Sequence, residues 1–257
     1  RLIEERVNKR EVSSFSDKNI IEVNNISYQN ILSDISFGIR KGEIFGILGL
    51  VGSGREELAK ILYGIIIPTK GHIAIDGRKK LLKTPLNALN NSITYVPSDR
   101  RYQGLFIYLS SLLNVGIMSL RLFSNRLSLL NKKKLVVAFN EYKDKLKIKV
   151  SSYKQQVSFL SGGNQQKILI ARCLTRNSDI IILNEPTRGI DVGTKFEIHN
   201  LLVDISNSGK TIIVFSTEVP EVVNICDRIL VLKKGKLGRI VNSDEMDQGE
   251  ILNFLLN

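Results

Sequence analysis

The apolar positions of this chain change their spacing several times, and each change predicts an element. Short runs rich in Ile and Val, bounded by Gly, Asn, Lys or Pro, predict strands. In the N-terminal part the predicted strands are Ile20–Ile26, Ile35–Ile39, Gly42–Gly49, His72–Ile75 and Ser92–Val96. After a Gly-rich loop, Glu56–Leu62 carries apolar residues at helical spacing. We therefore predict a β-layer, followed by a buried strand, a loop and a helix.

The C-terminal part alternates helices and strands with some regularity. The predicted helices are Gly163–Leu174, Thr194–Ile205 and Val219–Ile225. The predicted strands are Asp179–Leu183, Thr211–Ser216 and Arg228–Leu232. Because strands that alternate with helices of this length usually form a parallel sheet covered by helices, we predict an α/β fold with a mostly parallel sheet and a separate antiparallel β-layer.

The segment Leu105–Val150 has a different character, being polar and helical in period. Its candidate packing positions are Leu112, Leu113, Val136, Val137 and Leu146. We predict a helical subdomain, at about residues 104–155, inserted in the core of a domain that covers residues 20–257. The charged and Ser-rich segment Arg1–Asn19 is predicted to be a linker.

Composition limits the possible classes. The chain has 257 residues, of which 43% are hydrophobic, enough for a substantial core. No apolar run approaches the roughly 18–20 residues that a membrane-spanning helix needs, and the charged start Arg1–Arg10 is unlike a signal peptide. Cys173 and Cys226 match no metal-binding spacing and are predicted to be buried thiols. The two histidines, His72 and His199, stand alone in the sequence and are expected to be structural or exposed.

The net charge of +12 raises the question of a nucleic-acid or anionic membrane surface. The lysine clusters, however, fall in three separate segments, and no RNA-binding aromatic motif or zinc-finger spacing accompanies them. We therefore expect solvated basic faces, with no nucleic-acid partner.

A candidate phosphate-binding loop follows the buried strand and opens a helix. In this context backbone N–H groups and a helix N-terminus face phosphate oxygens. The full motif would continue with Lys and then Ser or Thr, where this chain has Arg55 and Glu56. The planar fork of arginine is a poor substitute for a point charge, and Glu56 lacks the hydroxyl that would hold Mg²⁺. At roughly 5 Å and an effective dielectric of about 20, Glu56 would repel a phosphate by on the order of 3 kcal/mol. The candidate nucleotide-binding residues of this region are Gly49, Gly52, Ser53, Gly54, Arg55, Glu56 and Glu57.

Two further motifs carry a resemblance to a known family. The run Leu160–Lys167 reads LSGGNQQK, and Ile180–Thr187 reads IIILNEPT. Together with the Gly-rich loop they resemble the nucleotide-binding domain of ATP-binding cassette (ABC) transporters. The resemblance implies a P-loop NTPase core of the RecA type, ATP and Mg²⁺ as cofactors, and ATPase activity. It places Asn184 where the family has an Mg²⁺-binding Asp, and Glu185 at the general-base position.

Other family positions are carried over in the same way. Ser98 stands where the family has a metal-sensing Gln, and Glu218 replaces the switch His. Asp191 ends the run Thr187–Asp191, which resembles the D-loop. Tyr28 is the candidate for stacking on adenine, with a core or surface tyrosine as an equal alternative. Since the metal-binding positions are degenerate, no metal ligand is assigned, and ATP and Mg²⁺ are expected to bind weakly or not at all at this chain's own loop.

The signature run would serve a different pocket. In this family two nucleotide-binding domains sandwich two ATP molecules, each held between the P-loop of one domain and the signature of the other. The signature residues expected to act on the partner's ATP are Ser161, Gly162, Gly163, Asn164 and Gln165. Because this signature is intact, the resemblance implies an asymmetric pair, in which the partner domain has the competent P-loop.

The run Leu160–Lys167, together with Ser98–Leu105 (SDRRYQGL) and Pro186–Gly193 (PTRGIDVG), is similar to one branch of the family. This branch is the monosaccharide importers, of ribose and galactose/methyl-galactoside type. Their ATPases carry two nucleotide-binding domains in one polypeptide, and an Arg in the P-loop and a Glu at the switch position are typical of the second. The implied partners are the N-terminal nucleotide-binding domain, a transmembrane permease and, indirectly, an extracellular sugar-binding protein. The implied location is the cytoplasmic face of the bacterial inner membrane. A nucleoside importer, a non-transport ABC ATPase acting on nucleic acid, and a scaffold that binds no nucleotide remain alternatives.

Overall fold

The computed structural model describes residues 16–126, 129–245 and 248–256. The strands in this part are β1 Asn19–Tyr28, β2 Leu32–Arg40, β3 Ile44–Leu48, β4 Lys70–Ile75, β5 Arg78–Lys80, β6 Ile93–Val96, β7 Ile180–Asn184, β8 Thr211–Ser216, β9 Arg228–Lys233 and β10 Lys236–Asn242. The α-helices are α1 Arg55–Leu62, α2 Pro85–Asn90, α3 Ser111–Gly116, α4 Lys132–Lys145, α5 Gly162–Thr175, α6 Val192–Asn207, α7 Val219–Ile225 and α8 Gln248–Leu256. A π-helical turn covers Arg100–Gly104, and 3₁₀ segments cover Ile117–Phe123 and Val157–Phe159.

The strands form two sheets. One has four strands in the order β2-β1-β4-β5, and its pairings are antiparallel. The other has six strands in the order β10-β9-β3-β8-β7-β6, in which β3 pairs in parallel with both β8 and β9, and β7 pairs in parallel with β8. All residues of β3, β7 and β8 are buried, as expected for strands covered on both faces. The predicted α/β fold, with an antiparallel layer and a mostly parallel sheet, is confirmed.

The chain divides into two compact units. The first comprises residues up to Tyr95, Asp179–Pro186 and the chain from His199 onward; the second comprises Val96–Ser178 and Thr187–Ile198. In the first unit, side chains of both sheets and of α1 form one apolar core. At its base, Arg228 Nε donates to the fully buried Glu43 carboxylate (2.5 Å), which fixes the start of β3 beside β9.

The second unit is mainly helical. The buried Arg172 of α5 donates to the carbonyl oxygens of Gly104 (2.6 Å) and Asn114 (2.7 Å), which ties the π-helical turn and α3 to α5. Of the predicted packing positions, Leu112 and Leu146 are buried. Leu113 and Val136 are half-buried.

The prediction that Val137 packs in the core is wrong, since this side chain is 68% exposed. The buried positions of α4 are Leu135 and Phe139, one turn apart on the opposite side of the helix. The sequence offered two apolar neighbours, Val136 and Val137, and the period of 3.6 residues allows only one face of the helix to be buried.

Several elements were not predicted, namely β5, α2, β10 and α8. A start signal for α2 is present in Thr84-Pro85, because the Thr84 hydroxyl accepts a hydrogen bond from the Asn87 N–H (3.3 Å) and Pro occupies the first helical position. Of the predicted linker Arg1–Asn19, residues 1–15 lie outside the described residues, and Asn19 is the first residue of β1. None of the helices within the described ranges has the length and apolar composition needed to cross a membrane.

Candidate functional site

The Gly-rich loop lies between the end of β3 and the start of α1, in the first unit. Gly52 and Gly54 adopt left-handed backbone angles (φ 82° and 89°), which glycine reaches without steric cost. A Cβ at Gly49 would lie 2.4 Å from Ser53 Oγ, so the loop also needs glycine there for close packing. Ser53 Oγ is buried and has no hydrogen-bond partner among the described residues. A loop of this shape before a helix N-terminus fits a phosphate group, and a phosphate oxygen would accept the hydrogen bond of Ser53.

Arg55 turns away from this loop and into the sheet. Its side chain is only 9% exposed. The guanidinium donates from Nη1 to Asn184 Oδ1 (3.1 Å) and from Nη2 to Glu185 Oε1 (2.7 Å). The cation that occupies the phosphate-binding position of the motif is therefore engaged with the residues at the C-terminal end of β7.

Glu185 is held tightly in this arrangement. Its Oε1 accepts a second hydrogen bond from the Thr217 N–H (3.1 Å), and its own N–H donates to the Phe215 carbonyl (2.8 Å). The backbone of Glu185 is left-handed (φ 51°), a strained conformation for a residue with a side chain. A general base needs an oxygen directed at the attacking water, and Oε1 of this carboxylate is already bound twice within the protein.

Both the oxygen and the nitrogen of the Asn184 side-chain amide have hydrogen-bond partners. Its Oδ1 accepts from Arg55, and its Nδ2 donates to the Tyr95 hydroxyl (3.3 Å). Tyr95 stacks on Tyr63, with ring centroids 5.3 Å apart, and burial raises the pKa of its hydroxyl. The side chain at the end of β7 therefore belongs to a buried polar network.

The residues at the metal-binding positions do not fit a magnesium ion. Mg²⁺ is held by carboxylate and hydroxyl oxygens. Here Asn184 supplies no charge, and Glu56 is half-exposed and pairs with Lys60 Nζ (3.0 Å), one turn along α1. Within the ranges that the structure describes, no group of three His, Cys, Asp or Glu side chains is arranged to bind a metal.

The segment after β8, which carries Glu218 at the switch position, is held by a buried polar cluster that the sequence did not reveal. Ser216 Oγ donates to Glu221 Oε2 (2.5 Å) and accepts from the Glu218 N–H (3.0 Å). His199 Nε2 lies 3.3 Å from Glu221 Oε1. The expectation that His199 is structural is thus met through a contact with Glu221, in a cluster that fixes the backbone of Glu218. No spacing rule joins these residues, because they lie on three different elements: His199 in α6, Ser216 at the end of β8 and Glu221 in α7.

The signature residues open α5 in the second unit. The Ser161 hydroxyl, at the N-cap, accepts a hydrogen bond from Asn164 Nδ2 (2.9 Å), and Asn164 Oδ1 accepts from the Lys149 N–H (2.7 Å). Ser161 is exposed, and Gly162 and Asn164 are half-exposed. Gln165 differs from the others, because it is 1% exposed and its Nε2 donates to the Val157 carbonyl (3.1 Å). The exposed part of the signature therefore consists of the Ser161 hydroxyl, the Asn164 side chain and the first helical turn at Gly162.

The remaining predicted residues are placed as follows. Asp191 caps α6, and the hydrogen bond from the Thr194 N–H (2.9 Å) lowers the pKa of its carboxyl group. Ser98 lies half-buried in the second unit, and Glu57 lies half-buried on α1. Tyr28 ends β1 and packs, half-buried, against the apolar core of the first unit.

Comparisons with known proteins agree with the fold and with the family resemblance. The sequence matches the ABC transporter family over residues 32–188. It is 41% identical to the ribose import ATP-binding protein RbsA of Clostridium tetani, over 91% of this chain and 46% of that protein. It is 38% identical to the galactose/methyl galactoside import ATP-binding protein MglA of Vibrio vulnificus, over 91% of this chain and 47% of that protein. The chain thus spans about half the length of the curated relatives that it matches.

A similarity in structure accompanies the similarity in sequence. A nucleotide-free ATP-binding cassette from an ABC transporter has a TM-score of 0.77 to this chain, at 23% identity, covering 93% of this chain and 96% of the other. This likeness supports the fold. Because the family match at residues 32–188 extends over more than half of the 257 residues, the chain belongs to the ABC transporter family.

Proposed function

We propose that this chain is the C-terminal nucleotide-binding domain of an ATP-driven bacterial sugar importer. Both relatives described above are named import ATP-binding proteins for ribose or for galactose and methyl galactoside, and the chain matches about half of each. The Arg in the Gly-rich loop and the Glu at the switch position are typical of the second half of such proteins. The proposed partners are the N-terminal domain of the same polypeptide, a permease and, indirectly, a sugar-binding protein, at the cytoplasmic face of the membrane.

The observation that carries the proposal is the inward pairing of Arg55. A lysine in this position would act as a mobile point charge on a phosphate. Arg55 instead bridges Asn184 and Glu185 within the sheet, and in the described part of the chain no group of three His, Cys, Asp or Glu side chains is arranged to bind a metal. The proposed consequence is that the chain's own pocket binds ATP weakly or not at all, through the Gly-rich loop alone, and does not hydrolyse it.

The signature would then be the active contribution of this chain. An exposed Ser161 hydroxyl and the N-terminal N–H groups of the 14-residue helix α5 form a positively polarised surface. Directed at the γ-phosphate of an ATP bound to the partner domain, these groups would stabilise the charge that develops during hydrolysis. In the proposed cycle, ATP closes the domain pair, the permease changes its access, and hydrolysis in the partner's pocket resets the pair.

The test compares the two pockets in the full-length polypeptide, reconstituted with its permease. Replacing Ser161→Ala removes one donor to the transferred phosphate, and we expect ATP turnover and sugar uptake to fall about 10²-fold or more. The matched change in the other pocket is the double variant Arg55→Met/Glu185→Gln, which removes the ion pair without leaving a buried charge. We expect this variant to keep turnover within about threefold. If it loses as much turnover as Ser161→Ala, the proposed asymmetry is wrong.

A binding measurement separates a weak pocket from a scaffold that binds no nucleotide. We expect isothermal titration of this chain with ATP to give a weak signal, nearly the same with and without Mg²⁺, because Asn184 carries no charge and Glu56 pairs with Lys60. Tight binding that requires Mg²⁺ would contradict the proposal.

A further inference from the structure

Arg100 occupies a position in the second unit where three motifs meet. It begins the π-helical turn after β6, and its guanidinium donates from Nη1 to the Arg188 carbonyl (2.5 Å) and from Nη2 to the Gly189 carbonyl (3.1 Å). Both carbonyls belong to the D-loop. The same Nη2 would lie 2.7 Å from a Cβ built on Gly162 of the signature. One side chain therefore contacts the D-loop and the first helical residue of the signature together.

The chemistry of this contact requires arginine. Two consecutive backbone carbonyls are bonded by two nitrogens of one planar fork, each at hydrogen-bond distance. A lysine has one ammonium on a flexible stem and cannot reproduce this fixed pair of donors. Asp99 supports the turn, since its Oδ1 accepts from the N–H groups of Arg101 (3.1 Å) and Tyr102 (3.0 Å).

A second set of contacts joins the signature helix to α6, the helix that follows the D-loop. A Cβ built on Gly163 would lie 2.1 Å from Cγ2 of Thr194, in the first turn of α6. Further along, Lys167 of α5 donates to Glu197 of α6 (2.8 Å). The signature helix and the segment that follows the D-loop are therefore packed without a gap, and glycine in the signature allows the close approach.

We propose that Arg100 is a positioning residue that clasps the D-loop onto the signature, so that both are presented to the partner domain as one preassembled surface. The inference rests on the proposed function, because it assigns that surface to the partner's ATP. Arg100 acts through the Arg188 and Gly189 backbone and through Gly162. Its removal should disorganise the surface and leave the chain folded.

The experiment uses the full-length polypeptide with its permease and the variants Arg100→Ala, Arg100→Lys and, as matched control, Arg101→Ala. Arg101 is the exposed neighbouring arginine whose backbone alone contributes to the turn. We expect Arg100→Ala to lower kcat for ATP at least tenfold with KM changed less than threefold, since nucleotide binding to the partner's P-loop is untouched. Arg100→Lys should recover little of this loss, and Arg101→Ala should behave as the parent. Full recovery by lysine would overturn the clasp.

A double-mutant cycle tests the contact with the signature. Gly162→Ala places a methyl group against Nη2, so we expect it to lower turnover strongly in the parent. In the Arg100→Ala background the obstructing group is gone, so the same substitution should cost clearly less turnover than it does in the parent, with the remaining loss due to the place of Gly162 in the signature itself. Equal losses in both backgrounds would overturn the proposal.

Hydrogen exchange of the D-loop amides, measured without ATP, separates the clasp from the proposed function. We expect Arg100→Ala to speed exchange in the segment 187–191 and to leave exchange in α5 unchanged. Unchanged D-loop exchange overturns the clasp whatever the turnover. If Ser161→Ala leaves turnover intact while Arg100→Ala still speeds exchange, the proposed function fails and the clasp stands only as a structural contact.

Discussion

Breaking the ion pair between Arg55 and Glu185 directly tests whether this pair holds Arg55 in the sheet and away from the Gly-rich loop. Both side chains are less than a tenth exposed, and the nitrogen and oxygen atoms lie 2.7 Å apart. Arg55→Met leaves a buried carboxylate for which, among the described residues, the Thr217 N–H is the remaining donor. Removing one partner of such a pair costs about 3–5 kcal/mol in free energy of unfolding, because the remaining charge is uncompensated. Glu185→Gln should cost a similar amount for the same reason.

The double variant Arg55→Met/Glu185→Gln should be far more stable than the sum of the single variants predicts. Replacing a buried ion pair by groups of similar volume is often nearly neutral, so we expect the double variant to lie within about 1–2 kcal/mol of the parent. The coupling free energy from the cycle should therefore reach several kcal/mol in magnitude. This result would also mean that Arg55→Met alone is unsuitable for a transport assay, because its effect would include unfolding.

The assay is urea unfolding followed by far-ultraviolet circular dichroism, since the chain contains no tryptophan. For each variant the midpoint and the slope of the urea unfolding curve are compared with those of the parent. A shifted midpoint at unchanged slope reports a change in stability, whereas a changed slope reports a change in the unfolded state. The control is Lys60→Met, which breaks the exposed pair with Glu56 and should cost no more than about 0.5 kcal/mol. If Arg55→Met unfolds at the same urea concentration as Lys60→Met, the ion pair between Arg55 and Glu185 does not contribute the stability expected of a buried pair, which would refute the prediction.

Gly163→Ala should lower stability by about 1–3 kcal/mol through its clash with the Thr194 methyl group, and Thr194→Ser, which removes that methyl, should restore most of it in a urea titration. Burial raises the pKa of the Cys226 thiol well above its usual value, so a disulfide reagent should modify Cys226 only as fast as the chain opens; rapid modification of the native chain would refute its burial. The hydrogen bond from Lys167 lowers the pKa of Glu197, and for this half-exposed carboxylate the stabilisation is below about 1 kcal/mol. This stabilisation is present above the pKa of Glu197 in the unfolded chain and is lost as the pH falls through the pKa in the folded chain. Glu197→Gln should therefore make the free energy of unfolding depend less on pH in that acidic range.

Much of the fold follows from the spacing of apolar residues, because a buried strand and a helix require different periods. The strands β3, β7 and β8 and the helices α1 and α5 are each recognisable in the sequence for this reason. Short or polar elements such as β5 and β10 carry no such pattern, since their residues are largely exposed. Their existence depends on pairing with β4 and β9, which local sequence does not encode.

The candidate site shows a similar division. Motif spacing identifies Arg55 and Asn184 as departures from the family motif and Glu185 as a retained position. The sequence does not show that they bind one another, because 129 residues separate Arg55 from Asn184 and only the parallel sheet brings them together. The contacts of Arg100 with Arg188 and Gly189 join residues that are 88 and 89 positions apart, and only the folded second unit reveals them.

The residues of the chain's own pocket that depart from the family pattern form, together with Glu185, a set whose buried charges are balanced. The family pattern places a lysine, an aspartate and a glutamate together, which leaves an excess of negative charge for a metal ion to offset. Here Arg55 faces one carboxylate, Glu185, and one neutral amide, Asn184, so the buried charges cancel without a metal. Buried charges are tolerated only when paired. Changing Asn184→Asp alone would add an anion to a pair that is already complete, and changing Arg55 alone would leave one unpaired. The pocket is therefore a self-consistent arrangement that single substitutions do not reverse, which favours the proposal that hydrolysis belongs to the partner domain's pocket.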